Sequence, residues 1–237
     1  MEICAKGICK SYQKKLVLED IQLSLAKGQV LGLFGPNGSG KSTLLEIMAL
    51  VLEPSQGEYF IRDQDAFDNS KEQRKRIGYV PQDIALFEEL SVYDNLMCWN
   101  HSKGKEAKQR VEEMIEQFSL SKFSKKKIVH LSGGMKRRVN IAVTVQNDYD
   151  ILLLDEPFAG MDAENITMLI QHLERYKKQG KTIVICDHSP FLFSELLDWI
   201  LILKNGKEIF WGNNDQLLMH AENEHQAIRK LIETSDC

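Results

Sequence analysis

The stretch Gly35-Pro36-Asn37-Gly38-Ser39-Gly40-Lys41-Ser42 decides the fold of this 237-residue chain. It matches the pattern G-x-x-x-x-G-K-[ST], in which glycines let backbone N–H groups turn toward a phosphate and the next helix directs its positive dipole end at the anion. Residues 29–34 form an apolar run typical of a buried strand, and residues 42–48 have the composition of a helix. The sequence therefore contains the strand, loop and helix in the order that this phosphate-binding motif requires.

The end of this loop supplies two side chains for phosphates and a metal ion. Lys41 is expected to reach the outer phosphates, and Ser42 to offer its hydroxyl to Mg²⁺, a hard cation that prefers oxygen ligands. The alternative is a glycine-rich turn without a ligand, but the flanking strand and helix favour a binding loop. The predicted nucleotide-binding residues of this segment are Gly35, Pro36, Asn37, Gly38, Ser39, Gly40, Lys41, Ser42 and Thr43.

A second apolar strand, Ile151-Leu152-Leu153-Leu154, ends in the acidic pair Asp155-Glu156. A phosphate loop needs a carboxylate opposite it to hold the metal ion and its water. We expect Asp155 to orient Mg²⁺ through the water shell of the ion, and Glu156 to act as general base on the attacking water. The alternative is that Asp155 only caps the strand and that Glu156 is only solvated.

The motif Leu131-Ser132-Gly133-Gly134-Met135 separates this chain from other phosphate-loop proteins. Ser132 is a good N-cap residue and the two glycines permit close approach to an anion, although Ser-Gly-Gly alone is a turn in most proteins. Together with the phosphate loop and the pair Asp155-Glu156, the motif makes the chain resemble the ATP-binding cassette (ABC) ATPases. In that family the motif is the signature that opens a helix and binds the γ-phosphate of an ATP held by the phosphate loop of the other subunit.

The resemblance implies roles for five further residues. Gln82 stands where the family has a glutamine that contacts Mg²⁺ and the attacking water, and His188 where it has a histidine that contacts the γ-phosphate. Tyr12 resembles the aromatic residue that stacks on adenine, with Val17 beside the ribose. Asp162 lies in the loop that crosses the dimer interface in the family. Without the resemblance, these would be ordinary loop, strand-end and surface residues.

The predicted fold is α/β, a P-loop NTPase core of the RecA-like type with an antiparallel β subdomain and an α-helical subdomain. The whole chain is expected to form a single ABC ATPase domain. Helices are expected over residues 107–118, 166–178 and 192–197, and Asn205-Gly206 predicts a hairpin turn. The assigned segments are residues 1–83 and 150–214 for the core with the β subdomain, residues 84–149 for the helical subdomain, and residues 215–237 for a C-terminal helical tail.

The resemblance also implies protein partners. Two copies would close around two Mg-ATP as a homodimer, or the chain would form a heterodimer with a related ATPase subunit. Separately encoded transmembrane permease subunits are expected to dock on residues 83–96, from Asp83 to Leu96. This segment places apolar residues such as Phe87 before a capping-box pattern at Ser91. The alternative is that these apolar residues belong to the ordinary core.

Composition restricts the class of partner. The net charge of −4 argues against a broad nucleic-acid surface, for which a basic stripe would be expected, so no nucleic acid is predicted as a partner. The sequence shows no signal peptide and no apolar stretch near the roughly 20 residues that span a bilayer. We therefore expect a cytoplasmic protein, peripherally associated with the cytoplasmic face of the membrane, with ATP and Mg²⁺ as cofactors.

Two departures from the commonest family pattern bear on the subgroup. Met135 replaces the usual glutamine. The run Met135-Lys136-Arg137-Arg138 resembles the corresponding sequence in the ATPases of ABC-2-type exporters of drugs, lipids and polysaccharides. Val143 stands where many relatives carry arginine. The predicted function is thus an ATPase that drives transport, with export favoured. The alternative is a soluble ABC ATPase acting on a cluster-assembly or nucleic-acid complex, and a non-catalytic sensor is disfavoured because Glu156 and His188 are both present.

Overall fold

The computed structural model describes residues 1–13, 15–188 and 191–223. Within these residues the chain forms two β-sheets and a set of helices that lie between and beside them. The strands are β1 (Ile3–Tyr12), β2 (Lys15–Leu25), β3 (Val30–Phe34), β4 (Gln56–Ile61), β5 (Gln64–Asp65), β6 (Ile77–Val80), β7 (Ile151–Asp155), β8 (Thr182–Cys186), β9 (Trp199–Lys204) and β10 (Lys207–Gly212). The helices are α1 (Lys41–Met48), α2 (Ser70–Arg74), α3 (Val92–Trp99), α4 (Gly104–Gln117), α5 (Gly133–Val145), α6 (Ala163–Lys178) and α7 (Asn214–Asn223).

The larger sheet has six strands in the order β10-β9-β3-β8-β7-β6. All its neighbouring pairs are parallel except β9 with β10, which the turn Asn205-Gly206 joins as predicted. Every residue of β3, β7 and β8 is buried, because apolar clusters cover both faces of the sheet. Carboxyl ends of parallel strands meet at one edge, so the segments that follow β3, β6, β7 and β8 converge there.

The smaller sheet is antiparallel, with strand order β2-β1-β4-β5. Helix α1 joins it to the larger sheet, since Leu44, Leu45 and Met48 belong to one apolar cluster with residues of both sheets. The turn after β9 also contacts this sheet. A Cβ on Gly206 would lie 2.4 Å from the carbonyl oxygen of Val17, so a glycine is required at this approach. The turn between β9 and β10 is therefore fixed against β2.

The segment between β6 and β7 is helical and contains α3, α4 and α5. Ser91 caps α3, its hydroxyl accepting a hydrogen bond from the Asp94 backbone N–H at 3.1 Å, as the capping-box pattern predicts. Ser132 caps α5 in the same way, with the Met135 N–H as donor at 3.4 Å. Among the described residues, no helix combines the length and apolarity needed to cross a membrane.

Several helix limits differ from the sequence-based expectation. Helix α6 begins at Ala163 rather than residue 166, because Asp162 caps it by accepting a hydrogen bond from the Asn165 N–H at 2.9 Å. Helix α4 begins at Gly104, three residues before the expected start. The helix predicted over residues 192–197 is wrong, since Phe191–Leu196 forms 3₁₀ turns interrupted by a non-helical Phe193. The predicted tail helix includes α7, and residues 224–237 lie outside the described part of the chain.

The burial pattern predicts unequal costs for two leucine truncations. Leu173 of α6 is fully buried, so Leu173→Ala should lower the free energy of unfolding by about 2–5 kcal/mol. Leu218 of α7 is 53% exposed, and Leu218→Ala should cost less than about 1 kcal/mol. Urea denaturation followed by circular dichroism measures both values. Equal losses in the two variants would contradict the assigned core.

Candidate functional site

The phosphate loop connects β3 to α1 through a turn that needs glycine. Gly35, Gly38 and Gly40 have φ values of 142°, 75° and 103°, a region that side-chain-bearing residues rarely adopt. A Cβ on Gly35 would also lie 2.1 Å from the carbonyl oxygen of Leu203. Lys41 is buried, and its Nζ donates hydrogen bonds to the carbonyls of Gly35 at 2.7 Å and Pro36 at 3.3 Å. The loop thus curves around the lysine ammonium at the start of α1.

Two buried polar atoms beside this loop have no hydrogen-bond partner among the described residues. They are Ser39 Oγ in the loop and Asp155 Oδ1 at the end of β7. Asp155 is almost fully buried. Burial of the neighbouring Cys186 thiol, together with the charge of the Asp155 carboxylate, raises the pKa of that thiol, so it stays neutral. Unpaired buried acceptors are costly, and phosphate-bound Mg²⁺ with its waters is the kind of group that satisfies them. The residues present therefore fit Mg-nucleotide.

Three polar side chains from three different strands meet at the same edge. Gln82 follows β6, Glu156 follows β7 and His188 follows β8. The Gln82 Nε2 donates to Glu156 Oε2 at 3.0 Å, and His188 Nε2 lies 2.9 Å from Glu156 Oε1. Each oxygen of the carboxylate is thus held by one neighbour. Glu156 also has a left-handed backbone conformation, with a φ of 48°. Residues other than glycine are strained in this conformation and keep it only where surrounding contacts hold them.

The phosphate loop and these three side chains line one cavity of about 460 Å³. Tyr12 does not line it and is half exposed at the end of β1, whereas Val17 does line it. A larger open depression of about 720 Å³ lies among β1, β2 and β10 and contains none of the predicted site residues. The residues lining the smaller cavity are Val17, Asn37, Gly38, Gly40, Lys41, Ser42, Thr43, Gln82, Glu156 and His188.

The Ser-Gly-Gly segment lies outside that cavity. Ser132 and Gly133 are exposed at the start of α5, and a Cβ on Gly133 would meet open space. Gly134 instead packs against the loop after β7, where a Cβ would lie 2.3 Å from the Gly160 carbonyl oxygen. The sequence suggested that both glycines serve approach to an anion, but within the chain Gly134 is needed for this backbone contact.

Comparison with known proteins places the chain in a family. The ABC transporter family model matches residues 18–159, which is more than half of the chain. The chain belongs to the ABC transporter family. The lipopolysaccharide export system ATP-binding protein LptB of Escherichia coli (strain K12) is 31% identical over 222 residues, covering 91% of this chain and 92% of LptB. The sulfate/thiosulfate import ATP-binding protein CysA 1 of Agrobacterium fabrum (strain C58) is 34% identical over 215 residues, covering 87% of this chain and 62% of that relative.

Solved ABC cassettes share the fold. A dimeric ATP-binding cassette in a post-hydrolysis state, bound to ADP and Pi, aligns with a TM-score of 0.81 and 27% identity, covering 89% of this chain and 98% of that one. The resemblance stated from the motifs and the predicted P-loop NTPase fold class are therefore confirmed. This ABC chain is an ATPase, and its cofactors are ATP and Mg²⁺.

Two buried arginines of α5 were not recognised as site residues from the sequence. The Arg137 guanidinium donates to the carbonyls of Pro81, at 2.8 Å, and Gln82. Arg138 donates to Asn165 Oδ1, and Asn165 in turn donates to the Asp162 carboxylate. Burial lowers the pKa of both guanidiniums, an effect that nearby carboxylates oppose. The available signal was a pair of charged residues in a helix whose other residues are mostly apolar.

The contact between Gly134 and Gly160 predicts a difference between neighbouring glycines. Gly134→Ala should lower the free energy of unfolding by about 1–3 kcal/mol, because the new methyl group would overlap a backbone carbonyl. Gly133→Ala adds the same methyl group in open space and should cost no more than about 0.5 kcal/mol. Urea denaturation of both variants measures the difference. A Gly134→Ala variant as stable as Gly133→Ala would show that the two loops do not pack as described.

Proposed function

We propose that this ABC ATPase is the energy-coupling subunit of a transporter, and that two copies close around two Mg-ATP. The observation that carries the proposal is the separation of the signature from the phosphate-loop cavity in one chain. Ser132 and Gly133 are exposed at a helix N-terminus, where free N–H groups and the helix dipole favour an anion, but they do not line their own chain's cavity. A second copy related by twofold symmetry would bring its signature to that cavity and complete the site. The similar solved cassette is dimeric.

The cavity supports a division of roles for ATP hydrolysis. Lys41 would contact the outer phosphates, and Mg²⁺ would be held by Ser42, by Gln82 and, through water, by Asp155. The ion supplies positive charge that neutralises the phosphate oxygens. Tyr12 would stack on adenine beside Val17, since its ring is exposed at the end of β1. Asp162 would lie at the dimer interface as well as capping α6.

Glu156 is the proposed general base. Its two oxygens are 3.0 Å from Gln82 Nε2 and 2.9 Å from His188 Nε2, so the carboxylate is oriented before a water reaches it. Accepting the proton of that water makes oxygen a better nucleophile toward the γ-phosphate. His188 would also contact the γ-phosphate. Positioning and electrostatics, rather than covalent chemistry, supply the rate enhancement in this scheme.

The docking of permease subunits is proposed at a surface that includes the predicted residues 83–96 and extends beyond them. Phe87 is 51% exposed and Trp99 is 44% exposed, and their rings stack with centroids 5.9 Å apart. Beside them is a groove of about 250 Å³ where the buried Asn140 Nδ2 has no hydrogen-bond partner among the described residues. An apolar segment with a carbonyl or carboxylate for Asn140 would fit this groove. The groove residues are Tyr79, Pro81, Ala85, Trp99, His101, Asn140, Val143, Thr144, Asn147 and Tyr149.

Export at the cytoplasmic face of a membrane is the proposed direction and location. The support is the run Met135-Lys136-Arg137-Arg138, which resembles the exporter subgroup. The two curated relatives described above include one export and one import protein, so they do not decide the direction.

The proposed division of the chain is a core, an antiparallel β subdomain, a helical subdomain over residues 84–149 and a tail from residue 215.

The shared-site proposal predicts an ATP-dependent dimer. Glu156→Gln should bind Mg-ATP without hydrolysing it and elute as a dimer only with the nucleotide, because each bound ATP contacts both copies. Adding Ser132→Arg should abolish the dimer, since a long cationic side chain would occupy the contact. Size-exclusion chromatography with light scattering measures the mass. Ser121→Arg, at another exposed serine of the helical segment, is the matched control and should leave the dimer intact. A dimer that persists with Ser132→Arg would contradict the proposal.

The docking proposal predicts that membrane association depends on Phe87. In membranes of the source cells, the chain should sediment with its permease, and Phe87→Asp should move most of it to the supernatant because a charge replaces an exposed apolar contact. Val51→Asp is the control, since Val51 is 65% exposed on another surface. Immunoblotting of the two fractions measures the distribution. Equal sedimentation of the two variants would argue against this surface.

A further inference from the structure

Arg137 joins the signature helix to the loop that carries Gln82. It lies on α5 one turn after Gly133 of the signature, and only 6% of its surface is exposed. Its two terminal nitrogens donate to two consecutive main-chain carbonyls, those of Pro81 and Gln82. The guanidinium is a planar fork of donors, so two such bonds fix the orientation of the two peptide units that flank Gln82.

The two peptide units that Arg137 holds flank Gln82, whose side chain makes a contact in the phosphate-loop cavity. Gln82 is exposed and directly follows Pro81 in a loop after β6, and its side-chain Nε2 donates to Glu156 Oε2 at 3.0 Å. The loop is also tied to α5 by the Ala85 N–H, which donates to Asn140 Oδ1 at 3.2 Å. A series of contacts therefore runs from α5 through the Gln82 backbone and side chain to Glu156.

We infer that Arg137 is a positioning residue of the ATPase site, which makes the contact between Gln82 and Glu156 depend on the position of α5. The inference rests on the proposed roles of Gln82 and Glu156. Its consequence concerns both sites of the proposed dimer. The start of α5 carries Ser132 and Gly133, which would meet the partner's ATP, while Arg137 on the same helix holds Gln82 of its own site. Closure of the dimer on one nucleotide would thereby orient Glu156, the general base, at the other nucleotide.

A double-mutant cycle with full-length chain tests the inference. Arg137→Gln should lower kcat about fivefold to tenfold while the KM for ATP changes less than twofold, because Lys41 and the phosphate loop, which would hold the phosphates, are untouched. In a Gln82→Ala background the same substitution should lower kcat less than about twofold, since the side chain through which it acts is absent. Arg137→Lys, which keeps the charge and one donor group, should recover kcat to within about threefold of wild type.

The matched control is Arg110→Gln. Arg110 is less buried than Arg137, with 38% of its side chain exposed, and it donates to the Gln146 carbonyl at 3.2 Å just beyond the other end of α5, away from the cavity. This variant removes a guanidinium hydrogen bond at the other end of α5 and should keep kcat within about twofold of wild type. If Arg137→Gln does not fold, Arg137→Lys carries the same cycle and should show the same loss of effect with Gln82→Ala.

The outcomes separate the inference from the proposed function. Gln82→Ala with full kcat would overturn the proposed role of Gln82 and, with it, the inference, since Gln82 would have no role to be positioned for. If Gln82→Ala is impaired but the Arg137 effect persists in full with it, the inference alone is overturned, and the guanidinium acts through its charge near Glu156. Equal kcat losses in Arg137→Gln and Arg110→Gln would also overturn it, because a general loss of packing would explain both.

Discussion

The parallel alignment of β3, β6, β7 and β8 is the constraint on which the rest of the structure depends. Apolar clusters on both faces of the sheet hold these strands in register, so the chain leaves all four at the same edge. That edge receives the phosphate loop, Asp155 with Glu156, the loop of Gln82 and the segment with His188. Residues that are more than 100 positions apart in the sequence are thereby placed within hydrogen-bond distance of one carboxylate.

Helix α5 is the second organising element. Its N-cap Ser132 and its first residue Gly133 are exposed, while the next residues contact two loops and helix α6 of the same chain. Gly134 packs on Gly160, Arg137 holds Pro81 and Gln82, and Arg138 contacts Asn165. A half-site that would act on a second copy is thus connected, by hydrogen bonds and close packing, to the loops of the chain's own site.

Much of the fold and the identity of the candidate site residues followed from sequence because local signals agreed. The glycine pattern before Lys41, the apolar strand ending at Asp155, the capping serines at 91 and 132 and the turn Asn205-Gly206 each indicate a local conformation that the structure contains. Periodicity fixed helix limits less well. Helix α6 begins three residues before its expected start because Asp162 caps it. Phe193 interrupts the helix expected over residues 192–197.

Tertiary contacts account for what the sequence left open. Nothing local indicates that Gly134 faces the Gly160 carbonyl, that Glu156 has a positive φ, or that the Arg137 side chain ends at two carbonyls 55 residues and more away. The same holds for the stacked pair of Phe87 and Trp99, which extends the proposed docking surface beyond residue 96. These features depend on which segments the fold brings together, and no local stretch of sequence specifies that.

The most direct test of the central claim, that each ATP site is built from two chains, is ATPase complementation between two impaired variants. Glu156→Gln lacks the base and Ser132→Ala lacks the signature hydroxyl, so each alone should retain no more than about a tenth of wild-type activity. With shared sites and random pairing, an equimolar mixture contains mixed dimers with one intact site, and about a quarter of wild-type activity should return. A mixture no more active than the average of the two variants would show that base and signature act within one chain, and would contradict the account.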